Sequence, residues 1–368
     1  MSHDGLFAPF RFRSGATARN RMTLAPLTNQ QSAEDGSLLE EELRWLQRRA
    51  AGGYSIIETC ASHVSATGKG FAGQLGVQSD TLLPGLRRLA TSIAGQGALG
   101  LVQLYHGGAR SPSKLTGVQS VSASTWYEDV PGFEAPRAAG EADIQGFIED
   151  FVAAAHRAKA AGFQGVELHA AHGYLLSQFL SSTRNPRTDG WGGTLEGRAR
   201  LVRTIARRIR RELSGRFIVG VRLSPEGMGN ARGIDIDDMV QVAKWLSEDG
   251  ADCIHVSLWN HTRNTLKYPE VHPLTLFRRA LPPEVALIAA GSVWTREDAE
   301  VCQRLGADFV ALGRAAIVDP DWPLHVARPD FVPVRAPRTS TQLHEVAVSE
   351  RFVNYLRNNF RGMVAEES

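Results

Sequence analysis

His169, His172 and Tyr174 fall within the run His169-Ala-Ala-His172-Gly-Tyr174. Imidazoles and phenols donate hydrogen bonds to a substrate oxygen and exchange protons with a reacting carbon. The run follows Gln164-Gly-Val-Glu-Leu168, a short stretch that reads as a buried strand. All three groups therefore leave the C-terminal end of one strand together. In a barrel of alternating strands and helices, that rim carries the catalytic groups. The competing reading is a pair of satisfied core histidines beside a packed tyrosine. Three such groups at one strand exit favour chemistry.

What must position them is a unit repeated along the chain, a short apolar run followed by an amphipathic stretch. Candidate strands are Met22–Ala25, Tyr54–Glu58, Gly100–Leu104, Gly165–Leu168, Phe217–Arg222, Cys253–Ser257, Ala286–Ala289 and Phe309–Leu312. Most are rich in Val, Ile and Leu without alternation, as strands covered on both faces are. Between them, Ile144, Phe147, Ile148, Phe151, Ala155 and Ala158 form a helical stripe, with Asp143 placed to cap it. Asp237 to Leu246 and Thr295 to Leu305 are similar, the latter opening with a capping-box-like Thr295-Arg-Glu-Asp298. Eight such units predict an α/β fold, a single (β/α)8 TIM barrel with long catalytic-face loops. A doubly wound sheet is the runner-up, but no Gly-x-Gly-x-x-Gly turn follows the first strand.

Two connections exceed a simple turn and are expected to be lids or specificity elements. His106 to Ala142 carries Trp126, Tyr127 and Phe133, and Leu258 to His272 carries Trp259, His261, Arg263 and Tyr268. After the seventh strand comes Gly291-Ser292, and after the eighth Gly313-Arg314, each leading into a helix. Turns of this kind let the backbone approach an anion, and barrels commonly bind phosphate there. Arg222 ends the fifth strand and is expected to point into the rim, because an unpaired guanidinium in the core is too costly. Gln103 and Thr28 stand at comparable strand ends.

Composition narrows the class. The 368 residues are 43% hydrophobic and 22% charged with a formal net charge of +2, values of a soluble globular enzyme. The densest basic stretch, Arg207-Arg208-Ile-Arg210-Arg211, lacks interleaved aromatics and reads as a solvated helix face, so no nucleic-acid partner is expected. Cys60, Cys253 and Cys302 are scattered, which argues against disulfides, zinc and a cysteine-ligated cluster. No secretory leader and no run near the roughly 20 residues of a membrane span is visible. A cytoplasmic location without membrane association is expected.

Taken together, these residues resemble the Old Yellow Enzyme family of FMN-dependent ene-reductases, the NADH:flavin oxidoreductases. The resemblance runs from about Leu6 to Pro323. Its most specific parts are Glu167-Leu-His-Ala-Ala-His-Gly-Tyr-Leu-Leu176, Gln178-Phe-Leu180, Asn185-Pro-Arg-Thr-Asp189 and Gly192-Gly193. Asn20-Arg-Met22, Gln103-Leu-Tyr-His106, Arg222, the Gly291 turn and Gly313-Arg-Ala-Ala-Ile-Val-Asp-Pro-Asp-Trp322 support it. It implies a non-covalent FMN, with NADPH or NADH as reductant. Gly291, Ser292, Gly313 and Arg314 would hold its phosphate, Gln103 and Arg222 its pyrimidine edge. Ala25, Pro26, Leu27, Thr28 and the Glu58–Thr59 strand end would lie along the ring. Hydride would pass to the β-carbon of an activated alkene whose oxygen is held by His169 and His172, with Tyr174 protonating the α-carbon and Trp259 beside the substrate.

This sequence departs from the pattern in places. Gln30 replaces a substrate-contacting tyrosine of one bacterial subgroup, His106-Gly-Gly-Ala-Arg110 is one residue longer than the common form, and Gly190-Trp191 replaces an acidic–tyrosine pair. The cysteine cluster of the larger iron–sulfur relatives is missing, so that version is not expected. Two alternatives stay open: a related flavoprotein acting on nitro esters or quinones, and a flavin-free phosphosugar lyase or isomerase. The latter needs a Schiff-base lysine or a carboxylate base, and only Lys69, Lys114 and Lys267 lie near the predicted rim. Residues 1–330 are assigned to the barrel and 331–368 to an extension packing on it or on a neighbouring subunit of a homo-oligomer.

Overall fold

The computed structural model describes residues 5–129 and 132–366. Met1–Asp4, where a leader was sought, Val130–Pro131 of the first long loop and Glu367–Ser368 of the extension lie outside the described residues. Eight strands form the barrel: β1 Met22–Leu24, β2 Ile56–Glu58, β3 Leu99–Tyr105, β4 Gly165–Ala170, β5 Ile218–Leu223, β6 Cys253–Ser257, β7 Ala286–Ala290 and β8 Phe309–Leu312. Each pairs in parallel with the next, and β8 pairs with β1, so the sheet closes and leaves no barrel edge. The (β/α)8 expectation holds. One boundary matters for function. Pairing between β4 and β5 continues through Arg222 opposite His169 and Leu223 opposite Ala170, so β4 does not end at Leu168. His169 therefore sits within the strand, and only His172 and Tyr174 lie beyond it.

The coat comprises α1 Glu40–Ala51, α2 Leu83–Ala94, α3 Glu141–Ala161, α4 Leu195–Glu212, α5 Ile236–Glu248, α6 Pro273–Ala280, α7 Arg296–Arg304 and the short α8 Arg314–Val318. All six stripe residues of α3 are buried. Asp143 is not the N-cap itself; it lies in the first turn, where its carboxylate accepts the Gly140 N–H at 2.8 Å. The box at Thr295 forms as expected, since Thr295 Oγ1 accepts the Asp298 N–H at 3.0 Å and Asp298 accepts the Thr295 N–H at 2.9 Å. On α4 the arginines are taken up by acidic neighbours, Arg208 by Glu149 and Glu212, Arg210 by Asp252. The stretch is an ion-paired face. Among the described residues no helix is long and apolar enough to cross a membrane.

The barrel interior has two tiers. Ile56, Leu101, Ile218, Cys253, Ala286, Ile288 and Phe309 fill the lower tier. An N-terminal hairpin, Phe10–Arg11 against Thr17–Ala18, closes that end. Phe12 stacks on Phe309 with centroids 5.5 Å apart, and Phe10 meets Phe309 edge-on at 5.2 Å. The upper tier is polar.

Past α8 the chain returns over the mouth. Helix α9, Glu350–Asn359, buries Phe352, Val353 and Leu356, and the Phe352 ring meets Trp45 of α1 at 4.9 Å. The buried Arg49 ties this layer down, donating to the carbonyls of Ala316 at 3.1 Å, Ile317 at 3.0 Å and Val346 at 2.6 Å.

Phe12→Ala empties the barrel's closed end. The expected cost is ~3–5 kcal/mol, read as a lower denaturant midpoint in urea unfolding. A midpoint equal to wild type would show that the hairpin does not seal the core.

Candidate active site

The strands' C-terminal ends open into a cavity of about 820 Å³. The β1 exit supplies Ala25, Pro26, Leu27 and Thr28, β3 supplies Gln103, and β4 with its turn supplies His169, His172 and Tyr174. Arg222 comes from β5, Trp259 and Arg263 from the loop after β6, and Gly291, Ser292, Gly313 and Arg314 from the last two turns. Thr59 does not line it. Its hydroxyl is spent on the wall, accepting the Gln103 N–H at 3.2 Å and donating to the Cys60 carbonyl at 2.9 Å.

Among the loop aromatics and histidines, only Trp259 reaches the cavity. His261 joins its loop to the β7 turn, with Nδ1 3.0 Å from the Gly291 carbonyl and Nε2 3.3 Å from Asp298. Tyr268 donates to Asp237 at 2.8 Å, away from the mouth. Trp126 lies under the Arg184 guanidinium at 3.8 Å and lines a separate cavity of about 180 Å³.

His169 Nδ1 accepts the Ala171 N–H at 3.4 Å, which leaves the ring proton on Nε2 for the cavity. His172 adopts a positive φ of 61°, held by its own N–H bonded to Ser224 Oγ at 3.0 Å. Gly173 follows at φ 75°, where a Cβ would stand 2.1 Å from the Asn230 carbonyl oxygen; only glycine fits this turn. Ser257 Oγ accepts from Arg222 Nη2 at 3.1 Å and lies 2.6 Å from His172 Nε2. Giving its hydrogen to Nε2 satisfies all three groups and leaves Nδ1 of His172 protonated. The Tyr174 ring rests against Tyr105 at 4.6 Å and His169 at 4.9 Å. Gln178 braces the turn from behind, donating to the Gly173 carbonyl at 2.8 Å and accepting the Ala109 N–H at 3.1 Å. Burial, and after it neighbouring positive groups including Arg222, His255 and Arg110, hold both His169 and His172 well below the usual imidazole range. They are neutral N–H donors at physiological pH.

Beneath them lies the upper tier. Glu167 accepts from Gln103 Nε2 at 2.7 Å and lies 2.7 Å from His255 Nδ1. Burial works against its charge, but His255 and Arg222 outweigh burial and keep Glu167 ionised. The Glu58 carboxyl lies beside Glu167 and His255, with side-chain atoms of the three within 4.8 Å of one another, and has no hydrogen-bond partner among the described residues. Burial first, then the Glu167 charge, push Glu58 well above the usual carboxylate range. Glu58 is therefore held protonated beside the ionised Glu167. Arg222 lines the cavity as expected and is also buried, because the ionised Glu167 compensates its charge from below.

The residues fit a flavin. Arg222 Nε is buried without a partner, as is expected of a donor awaiting an acceptor in the cavity it lines. Gln103 spends its amide N–H on Glu167 and keeps its carbonyl oxygen for an N–H of the ligand. At the other end Arg314 donates to Ser292 Oγ beside Gly291 and Gly313, a cationic turn suited to phosphate. None of Lys69, Lys114 and Lys267 lines the cavity, and Lys69 and Lys267 are ion-paired elsewhere. That removes the Schiff-base alternative.

A barrel with this mouth defines a flavin-dependent oxidoreductase. The profile of the NADH:flavin oxidoreductase / NADH oxidase family matches residues 5–329. A Bacillus subtilis protein named "Probable NADH-dependent flavin oxidoreductase YqiG" is 36% identical over 327 residues, 87% of each chain. An NADPH dehydrogenase of Bacillus licheniformis is 30% identical over 331 residues, 89% of this chain and 95% of its own. The solved Old Yellow Enzyme homologue of Zymomonas mobilis superposes with a TM-score of 0.81 at 27% identity, covering 93% of this chain and 99% of that one. The chain belongs to this family, the Old Yellow Enzymes, and is an FMN-dependent NAD(P)H oxidoreductase.

Sequence reasoning missed several contributors, among them Arg110, Glu226, Ser257, His255, Tyr355 and Phe360. Ser257 and His255 alternate inward on an otherwise apolar strand, a weak signal that was present. Tyr355 and Phe360 reach the cavity from the α9 region, and nothing local in the sequence indicates that course.

Glu58 yields a pH prediction. A carboxyl whose folded pKa is raised contributes fully below its unfolded value and weakens the fold as pH climbs toward the folded value. Glu58→Gln removes that penalty. Its thermal midpoint should match wild type near pH ~4 and exceed it by a margin that grows as pH rises above the usual carboxylate range. A variant that gains nothing at the alkaline end contradicts a protonated Glu58.

Proposed function

We propose that the enzyme reduces activated alkenes, α,β-unsaturated carbonyls or nitroalkenes, using NAD(P)H as the electron source. Bound FMN supplies the hydride chemistry. This chain's residues provide the rest. His169 and His172, held neutral, present N–H groups to the substrate's carbonyl or nitro oxygen. Being preorganised by the sheet and the turn, they favour the negative charge that gathers on that oxygen as the β-carbon is attacked. Tyr174, wedged between Tyr105 and His169, delivers the proton to the α-carbon. Arg222, compensated from below and open above, favours charge on the pyrimidine edge of the ring it faces.

The observation that carries this reading is the mutual contact of the three rings at the cavity wall. His169 and His172 stand 5.0 Å apart, and Tyr174 lies 4.9 Å from one and 6.4 Å from the other. The three free, buried cysteines agree with a reducing, cytoplasmic compartment.

Tyr174→Phe separates the two halves of the cycle. Anaerobic stopped-flow should show re-oxidation by cyclohexenone slowed by roughly 10²–10⁴-fold, far more than flavin reduction by NAD(P)H. A variant that re-oxidises at the wild-type rate removes Tyr174 as the acid.

A further inference from the structure

The cavity is lined by four arginines, Arg110, Arg222, Arg263 and Arg314, and by a single carboxylate, Glu226. Glu226 is engaged, accepting the Leu266 N–H at 2.9 Å and 3.0 Å and the Lys267 N–H at 3.4 Å. Arg222 is compensated by the Glu167 carboxylate beneath it, and Arg314 sits at the other end of the cavity with Ser292. Two cations then remain over the open part of the site.

Of these, Arg110 is the one fixed beside the reacting groups. Its Nη1 donates to the His172 carbonyl at 3.1 Å, and its guanidinium lies 4.5 Å from the Tyr174 ring centroid. No carboxylate within ion-pair distance is found for it among the described residues. The other guanidinium N–H groups have no protein acceptor there. The loop behind it is pinned, because Gln178 accepts the Ala109 N–H and Gly108, at φ 61°, packs so close to that side chain that a Cβ would meet its Oε1 at 2.3 Å. Arg263 is exposed on the loop after β6, as Arg110 is on its own loop, but among the described residues only the backbone N–H of Arg263 is bonded, whereas the Arg110 guanidinium is held by the His172 carbonyl.

We propose that Arg110 makes this site selective for activated alkenes that carry a carboxylate, which its free guanidinium edge receives. This specificity rests on the alkene-reducing reading above. An alkene whose carbonyl is held by His169 and His172 presents its other substituents toward Tyr174 and hence toward Arg110. A guanidinium offers a carboxylate two parallel N–H groups, a charge-assisted pairing whose geometry a neutral ester cannot reproduce. The phosphate of a nicotinamide nucleotide is the other anion that visits this face, so the test separates the two.

The substrates are β-acetylacrylate and its methyl ester, which share one enone and differ in charge. For the wild-type holoenzyme kcat/KM should favour the acid by roughly tenfold to a hundredfold, the range of a charge-assisted hydrogen-bond pair. Arg110→Ala should bring the acid-to-ester ratio close to one, and Arg110→Lys should restore part of it. Calorimetric titration of the oxidised holoenzyme with levulinate and methyl levulinate, which cannot be reduced, should show the same loss of preference in Kd.

Equal treatment of acid and ester by the wild type overturns the proposal. So does a preference that survives Arg110→Ala or disappears only in Arg263→Ala. A variant that raises the KM for NADPH over NADH while keeping its acid preference assigns Arg110 to the nucleotide and also overturns it. Failure of wild type to reduce the acid, the ester and cyclohexenone alike refutes the alkene reading instead, and the levulinate titration still judges Arg110.

Discussion

The mouth of this barrel depends on one buried carboxylate, Glu167. It collects Gln103 and His255 within hydrogen-bonding distance and compensates Arg222 across the barrel interior. Arg222 in turn holds Ser257, and Ser257 holds the Nε2 edge of His172. The first ligand-facing cation and one oxygen-holding imidazole are thus linked through protein hydrogen bonds alone. A buried ionic layer is a poor way to stabilise a core, because desolvation offsets much of its attraction. Its presence above a fully apolar lower tier marks the level at which packing gives way to chemistry.

Two further devices keep that chemistry rigid. The strand pairing of β4 with β5 fixes His169 opposite Arg222, so the imidazole is placed by the sheet and not by a loop. Beyond the strand, the positive φ of His172, the glycine after it and the Gln178 brace leave the turn a single path to Tyr174. Helix α9 then places Phe352, Tyr355 and Leu356 over the same cavity, making the C-terminal segment part of its wall.

Much of this was legible in the sequence, and the reasons are physical. Strands covered on both faces are largely apolar, so most of the eight appeared as runs without alternation. The two glycine turns after the last strands were legible as part of the rim, and Gly291, Ser292, Gly313 and Arg314 do line the cavity. The strand's true end at Ala170 was not legible, since histidine carries no strand signal and only the register with β5 extends it. Thr59 sits at a strand exit like Thr28, yet its side chain turns to the wall and bonds Gln103, a choice made by neighbours remote in sequence. Arg222 showed the limit of the burial argument, because Glu167, the carboxylate that permits its burial, comes from β4, remote in sequence. The path of the C-terminal helix is set by tertiary contacts such as Trp45 with Phe352.

The central claim is that electrons from NAD(P)H leave this site on an activated alkene. Its most direct test is an anaerobic stoichiometric turnover: the purified protein is reduced with one equivalent of NADPH or NADH, and cyclohexenone is then added. The account predicts a yellow protein that bleaches, regains its colour on addition of the enone, and yields one equivalent of cyclohexanone. A colourless protein that cannot be reconstituted with FMN, or a bleached flavin that regains colour only when oxygen is admitted, would contradict it.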